Sequence, residues 1–265
     1  MLVTSFTAAA IYLLVATLQY RSIRSQQAAS RITVLCLSWL AVLLHGISAI
    51  AAIQSPDGVN LGFFKISAII SLIINLAFLL NLQWRPVQNL LVILYPLAAI
   101  AVITASLAPG NQTPLYDLTG GMMLHIGSSI LAYAVLTLAA CQAGMVALQD
   151  YQLRHRHPIG LVQILPPLQV MEKILFEMLW AGLLLLTLSI GSGMVFLENM
   201  FAQQLAHKTV LSICAWALFA VLLWGHHQLG WRSQTAVRFT LTGFIALMLA
   251  YFGSKLVLEV ILQSG

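Results

Sequence analysis

The chain has 265 residues, of which 60% are hydrophobic and only 7% charged. A soluble domain carries about a quarter charged residues, so this composition excludes a soluble enzyme built on a large core and indicates an integral membrane protein. The net charge of +5 does not point to nucleic acid, because the basic residues fall in loops between apolar runs rather than along one stripe.

A helix needs about 20 mostly apolar residues to cross a bilayer. Eight such runs follow one another, at roughly 2–20, 32–53, 64–82, 89–107, 123–148, 178–197, 207–225 and 239–262. The spacing therefore predicts an all-α, polytopic membrane helix bundle of about eight transmembrane helices, in one integral membrane domain over residues 1–265. The first run, MLVTSFTAAAIYLLVATLQY, has no basic residue ahead of it, which predicts a retained helix rather than a cleaved signal. Helix two carries His45 at its centre, in AVLLHGISAI. That imidazole is either a ligand of a second site or a core histidine bonded to Ser48 or to a carbonyl.

Helix five opens with His125 and continues with Ser128, Ser129, Ala132, Ala139, Ala140 and Ala143 on the same face. Small residues let membrane helices approach closely, so His125 is expected to point into the bundle. The loop over 108–122 is turn-rich, and the inner segment 149–177 is the longest connection. Within it, His155 and His157 read as a solvated basic loop. Pro167 suits a helix start, and Leu168, Met171, Leu175 and Met178 recur at helical spacing. These features predict a short amphipathic helix on the inner membrane surface before helix six.

Helix six carries Gly191, Ser192 and Gly193 near its outer end, which allow close helix approach or leave room for a flat ligand. Helix seven opens with His207 beside Lys208 and ends with His226 and His227, next to Trp224 and Trp231 of an expected aromatic belt. Lys255 and Glu259, four apart in helix eight, can pair, although lysine ahead of glutamate is the weaker order. Cys36, Cys141 and Cys214 lie inside apolar runs without a CxxC, so no disulfide framework is expected.

Charge sets the topology. Arg21, Arg24, Arg31, Arg85, Arg154, Arg156, Lys173, Arg232 and Arg238, nine of the twelve basic residues, fall on one side, and Asp57, Asp117 and Glu198 on the other. Basic loops stay in the cytoplasm. The expected location is a bacterial inner membrane, with both termini outside.

An intramembrane ionisable residue is a functional-site candidate by default. His125 and His207 open two segments at one predicted membrane face, where two imidazoles on one level can grip a metal or a haem iron from opposite sides. They are the first candidates for haem axial ligands. His45, His226 and His227 are weaker candidates, and Lys255 and Glu259 form a weak site for a carboxylate or propionate. There is no Ser/His/Asp spacing, no phosphate-cradling glycine loop and no HExxH, so no catalytic residue is assigned and an enzyme is not expected.

The pieces HIGSSILAY, LPPLQVMEKILFEML, LTLSIGSG, HKTVLSICAW and GWRSQTAVRF–TLTGF–LAYFGSK, over about residues 120–260, resemble the cytochrome c assembly protein family of CcsA-like membrane proteins. The likeness is closest to its YpjD and HemX-like inner-membrane branch of eight-helix proteins. The resemblance implies haem as cofactor, with His125 at the first outer histidine of the family and His226 or His227 near the histidine that ends the following helix. The family's tryptophan-rich motif WGxxWxWD is missing: between Val195 and Lys208 the chain reads VFLENMFAQQLAHK. The Lys255–Glu259 region stands where a late outer histidine is expected.

The leading reading is a haem-handling protein of the cytochrome c assembly type, in cytochrome c maturation or haem transport. Its partners would be the lipid bilayer, haem or another tetrapyrrole, and a cytochrome-maturation or tetrapyrrole-synthesis protein, with no nucleic acid. A non-enzymatic membrane regulator or scaffold of tetrapyrrole synthesis, acting through 149–177, is the alternative. An accessory to divalent-cation transport ranks last, because hard cations want oxygen ligands and few acids lie in the spans. Alkaline phosphatase fused after residue 265 is expected to be active in cells and a fluorescent protein fused there dark; the opposite pattern would reverse the topology.

Overall fold

Lipid offers no water to backbone N–H and C=O groups, so each apolar run must close its hydrogen bonds within a helix. The computed structural model describes residues 2–25, 30–55, 58–59, 62–82, 88–108, 119–155, 166–196 and 206–250. Among these it shows eight α-helices: α1 Leu2–Ser25, α2 Arg31–Ile53, α3 Phe63–Leu82, α4 Leu91–Leu107, α5 Gly120–Arg154, α6 Leu168–Phe196, α7 Ala206–Leu229 and α8 Ser233–Met248. Helices α1, α2, α3, α5, α6 and α7 are each long and apolar enough to cross a membrane, and α4 is a shorter apolar helix. A two-residue antiparallel ladder, Gln54–Ser55 with Gly58–Val59, follows α2. The fold is a polytopic helical membrane bundle. Lys255 and Glu259 lie outside the described residues, as do Arg156, His157 and the centre of the 108–122 loop.

The chain divides into two compact units. In the first, α1 packs on α2 and α4, and α3 packs on the same two helices, which closes a ring of four. Ala8, Tyr12, Ala41, Leu79, Tyr95 and Ala98 form its fully buried centre. Tyr12 meets Tyr95 edge-on at 4.8 Å and places its hydroxyl 3.2 Å from His45 Nδ1. His45 is completely enclosed. Its partner is Tyr12 of α1 rather than Ser48, which instead pairs with Ser5 at 3.0 Å and Thr4 at 2.9 Å.

In the second unit, α5 packs on α6 and α8, and α7 joins α6 to α8. Side-chain pairs run in opposite chain directions across each interface: Gln142 with Met171, Thr187 with Trp216, and Asp150 with Gln234. The four helices therefore alternate up and down around a closed ring. Close packing of α5 against α6 requires glycine at 182, where a Cβ would stand 2.5 Å from a Leu136 methyl carbon. The small-residue face of α5 is buried: Ser128, Ala132, Ala139, Ala140 and Ala143 are each at most 6% exposed. Gln142 Nε2 donates to the Met171 carbonyl at 3.1 Å, and the Tyr133 hydroxyl donates to the Leu247 carbonyl.

Helices α5 and α6 are longer than their apolar runs. Helix α5 has 35 residues, about 52 Å at 1.5 Å per residue, against a hydrocarbon core of about 30 Å. The helical stripe expected from Leu168 is present, but it is not a separate surface helix. It forms the first turns of α6, which runs unbroken from Leu168 to Phe196. The Pro167 carbonyl accepts from Val170 and Met171, so the proline stands just outside the first turn. Met171 and Leu175 are buried in the protein, which gives the stripe its partner and removes the need for a lipid surface.

These extensions meet at the arginine-bearing end of the unit. Helix α7 stops at Gly230, whose φ of +68° only glycine adopts freely, and Trp231 N–H returns to the Gly225 carbonyl at 3.2 Å. Ser233 opens α8 with φ +43°, strained for a side chain with a Cβ. Its N–H donates to Glu172 Oε1 of α6 at 2.8 Å, and Arg232 Nε lies 3.5 Å from Glu172 Oε2. No side chain of α8's own N-cap residue caps it, so Glu172 serves as a cap borrowed from another helix. Asp150 of α5 takes Gln234 at 2.6 Å and Arg154 at 3.1 Å. Glu172→Ala would leave the strained Ser233 N–H without its acceptor. The expected cost is about 1–3 kcal/mol, read as a lower midpoint in thermal unfolding of the detergent-purified protein, with the exposed Lys173→Ala as the comparison.

Candidate functional site

His125 lies in the second turn of α5, half-buried, at the end of the second unit opposite the arginines. The helix is started by Thr119, whose hydroxyl accepts from Met122 N–H. One further turn brings the imidazole against α6, where Nδ1 is 2.8 Å from the Ser189 carbonyl oxygen. A carbonyl only accepts, so Nδ1 is the donor, and in the neutral ring Nε2 keeps its lone pair. An Nδ1–H bound to a backbone carbonyl is the arrangement that orients ligating histidines and raises their basicity.

Hydroxyls surround this bond. Ser129 Oγ donates to the His125 carbonyl at 2.6 Å and lies 2.6 Å from Ser189 Oγ. Ser192 Oγ donates to the Ser189 carbonyl at 3.0 Å. Toward the helix end, the Phe196 ring rests directly on Gly121, leaving no space for a side chain there.

His207 falls in the first turn of α7, at the same end of the unit. Its side chain is outside the described residues. The pairs Trp216–Thr187 and His125–Ser189 set the register between the helices. Both histidines therefore stand at one end of the second unit.

His226 lies at the opposite end. Its ring stacks on Phe176 of α6, with centroids 3.5 Å apart and planes 15° from parallel, and Nδ1 donates to the Trp231 carbonyl at 2.8 Å. It therefore holds the same tautomer as His125. His227 is exposed. His45 belongs to the first unit, and within the second His125 and His226 stand at opposite ends. Among the described residues no group of three or more His, Cys, Asp or Glu side chains could hold a metal ion.

Sequence reasoning missed Ser189, Asp150 and Glu172. Ser189 acts through a backbone carbonyl, which any residue has. The two acids lie in amphipathic stretches whose polar side is ordinarily solvated, whereas here both are less than a tenth exposed.

Fold and site together define a polytopic membrane protein with a preoriented imidazole near one membrane face. Residues 32–262 match the model of the family described as cytochrome C assembly protein. The chain belongs to that family. It is 35% identical over 224 residues to the inner membrane protein YpjD of Escherichia coli (strain K12), covering 84% of this chain and 85% of the relative. It is 30% identical over 207 residues to an uncharacterised 28.8 kDa protein of Azospirillum brasilense, covering 76% and 74%. It is 24% identical over 134 residues to the protein HemX of Brevibacillus brevis, covering 50% and 49%. No solved structure matches the chain.

Gly225 touches the Trp231 ring closely enough that no Cβ fits, whereas Gly191 has open space around it. Gly225→Val is expected to displace Trp231 from the α7–α8 turn, shifting tryptophan emission to the red and costing about 1–3 kcal/mol. Gly191→Val should leave both emission and stability near wild type.

Proposed function

We propose that the protein handles haem in the bacterial inner membrane, in the manner of cytochrome c assembly proteins, by taking it up at His125 rather than by catalysing a reaction. The observation that carries this reading is the 2.8 Å bond from His125 Nδ1 to the Ser189 carbonyl, which leaves Nε2 as a fixed lone-pair donor in a half-buried position. Family membership and the similarity to inner membrane protein YpjD support it. Bound haem would supply an iron with an open axial position, to which a neutral imidazole is the commonest protein ligand. The chain's residues orient that imidazole and keep lipid from its inner side through the buried faces of α5 and α6. His207, which starts α7 at the same end, is the second ligand in this reading.

The chain has no tryptophan in the segment before His207, which favours holding or passing haem over attaching it to an apocytochrome. His226 carries the same Nδ1-to-carbonyl bond at the arginine-bearing end and stacks on Phe176, so it is the weaker, inner candidate for the same chemistry. The test is the oxidised and dithionite-reduced absorption spectrum of the protein purified in detergent from haem-replete cells. Wild type is expected to show sharp low-spin bands. His125→Ala is expected to lose them, and His226→Ala to keep most of them. A featureless wild-type spectrum after added haem would overturn the reading in favour of a regulator of tetrapyrrole synthesis.

A further inference from the structure

Each hydroxyl near His125 has one proton to give, and the carbonyls beside it have none. Ser129 Oγ is 2.6 Å from the His125 carbonyl, and a carbonyl cannot donate, so the Ser129 proton is committed there. The 2.6 Å contact between Ser129 Oγ and Ser189 Oγ then needs the proton of Ser189. The direction of every bond follows. Ser189 O–H donates to Ser129, Ser129 O–H donates to the His125 carbonyl, and His125 Nδ1–H donates back to the Ser189 carbonyl. Three hydrogen bonds form a closed circuit between α5 and α6.

That circuit has two consequences. Rotating or sliding α5 against α6 breaks at least two of its bonds at once, so the plane of the imidazole is tied to the register of the helices. The tautomer is tied as well, since the acceptor aimed at Nδ1 is the Ser189 carbonyl. Ser192 competes for that acceptor: its hydroxyl donates to the same carbonyl at 3.0 Å. Two side-chain donors share one oxygen beyond its own helix bond, which weakens the hold on Nδ1–H and lowers the electron density passed to Nε2.

We infer that Ser129, Ser189 and Ser192 are positioning residues, the first two fixing the direction and tautomer of the His125 lone pair and Ser192 moderating its donor strength. The inference deepens the haem reading and rests on it for the identity of the ligand. Serine pairs also fasten membrane helices to one another. A purely fastening role would change stability without changing the imidazole, and the two roles separate on that point.

The test uses the full chain in lipid nanodiscs, with ¹⁵N-labelled histidine and no haem, above the ordinary imidazole range of about 6.5. The His125 signals are identified by their loss in His125→Ala. Wild type is expected to show a protonated Nδ1 and an unprotonated Nε2. Ser192→Ala should keep that tautomer and move the Nδ1 proton downfield, because the carbonyl then serves one side-chain donor. Ser129→Ala should mix in the other tautomer. On titration with haemin, Ser129→Ala is expected to bind about tenfold more weakly. Ser192→Ala should bind at least as tightly as wild type and give a more negative midpoint potential.

An Nε2-protonated wild-type ring would overturn the inference, and so would a His125 spectrum and haemin affinity unmoved by both serine variants. Opposite responses of the two variants in the haem-free spectrum, together with no haemin uptake by wild type, would support the positioning circuit and overturn only the haem reading.

Discussion

Polar side chains inside lipid must find their partners in the protein, and a helix has little to offer them but backbone carbonyls, each with a second lone pair. The second unit is organised by this constraint. His125 reaches the Ser189 carbonyl, Gln142 the Met171 carbonyl and Tyr133 the Leu247 carbonyl. Each bond crosses from α5 to a neighbouring helix and fixes that helix's register more firmly than apolar packing alone, because lipid tails are as apolar as leucine. The histidine that looks functional is thus also a structural tie. Its tie determines which ring nitrogen stays free for a ligand.

The two ends of the unit are built from different chemistry. Around His125 the bonded groups are neutral hydroxyls and carbonyls, and the glycine at 121 lets Phe196 close over the first turn. At the other end the groups are charged: Glu172 and Asp150 hold Arg232, Arg154, Gln234 and the strained Ser233. A buried carboxylate without partners is costly, so these acids are matched by several donors each. These charged contacts tie α5, α6 and the start of α8 together where basic residues collect.

At the centre of the first unit the ties between helices are neutral. Ser5, Ser48 and Thr4 satisfy one another, and Tyr12 serves His45. His45 is wholly enclosed by its own unit, whereas His125 is half-buried on a helix face among hydroxyls. Burial depth and hydrogen-bond partner separate these two intramembrane histidines, although in the amino-acid string both stand in similar apolar surroundings.

The number of helices, their order, their membrane setting and the side on which basic residues gather were decided by the sequence alone. Hydropathy and charge act locally, and a run of about 20 apolar residues is enough by itself to specify a spanning helix. His125 as the leading candidate was legible for the same reason: an ionisable residue among small ones in an apolar run is rare enough to stand out. The tertiary structure decided what that histidine does with its protons, because Ser189 contributes a carbonyl that has no sequence signature. It also merged the expected surface helix into α6, since only the presence of α5 shows that Met171 and Leu175 have protein to bury against. It gave Glu172 to the start of α8. Those outcomes depend on how far each helix extends past its apolar run, which is set by partners distant in sequence and not by the run itself.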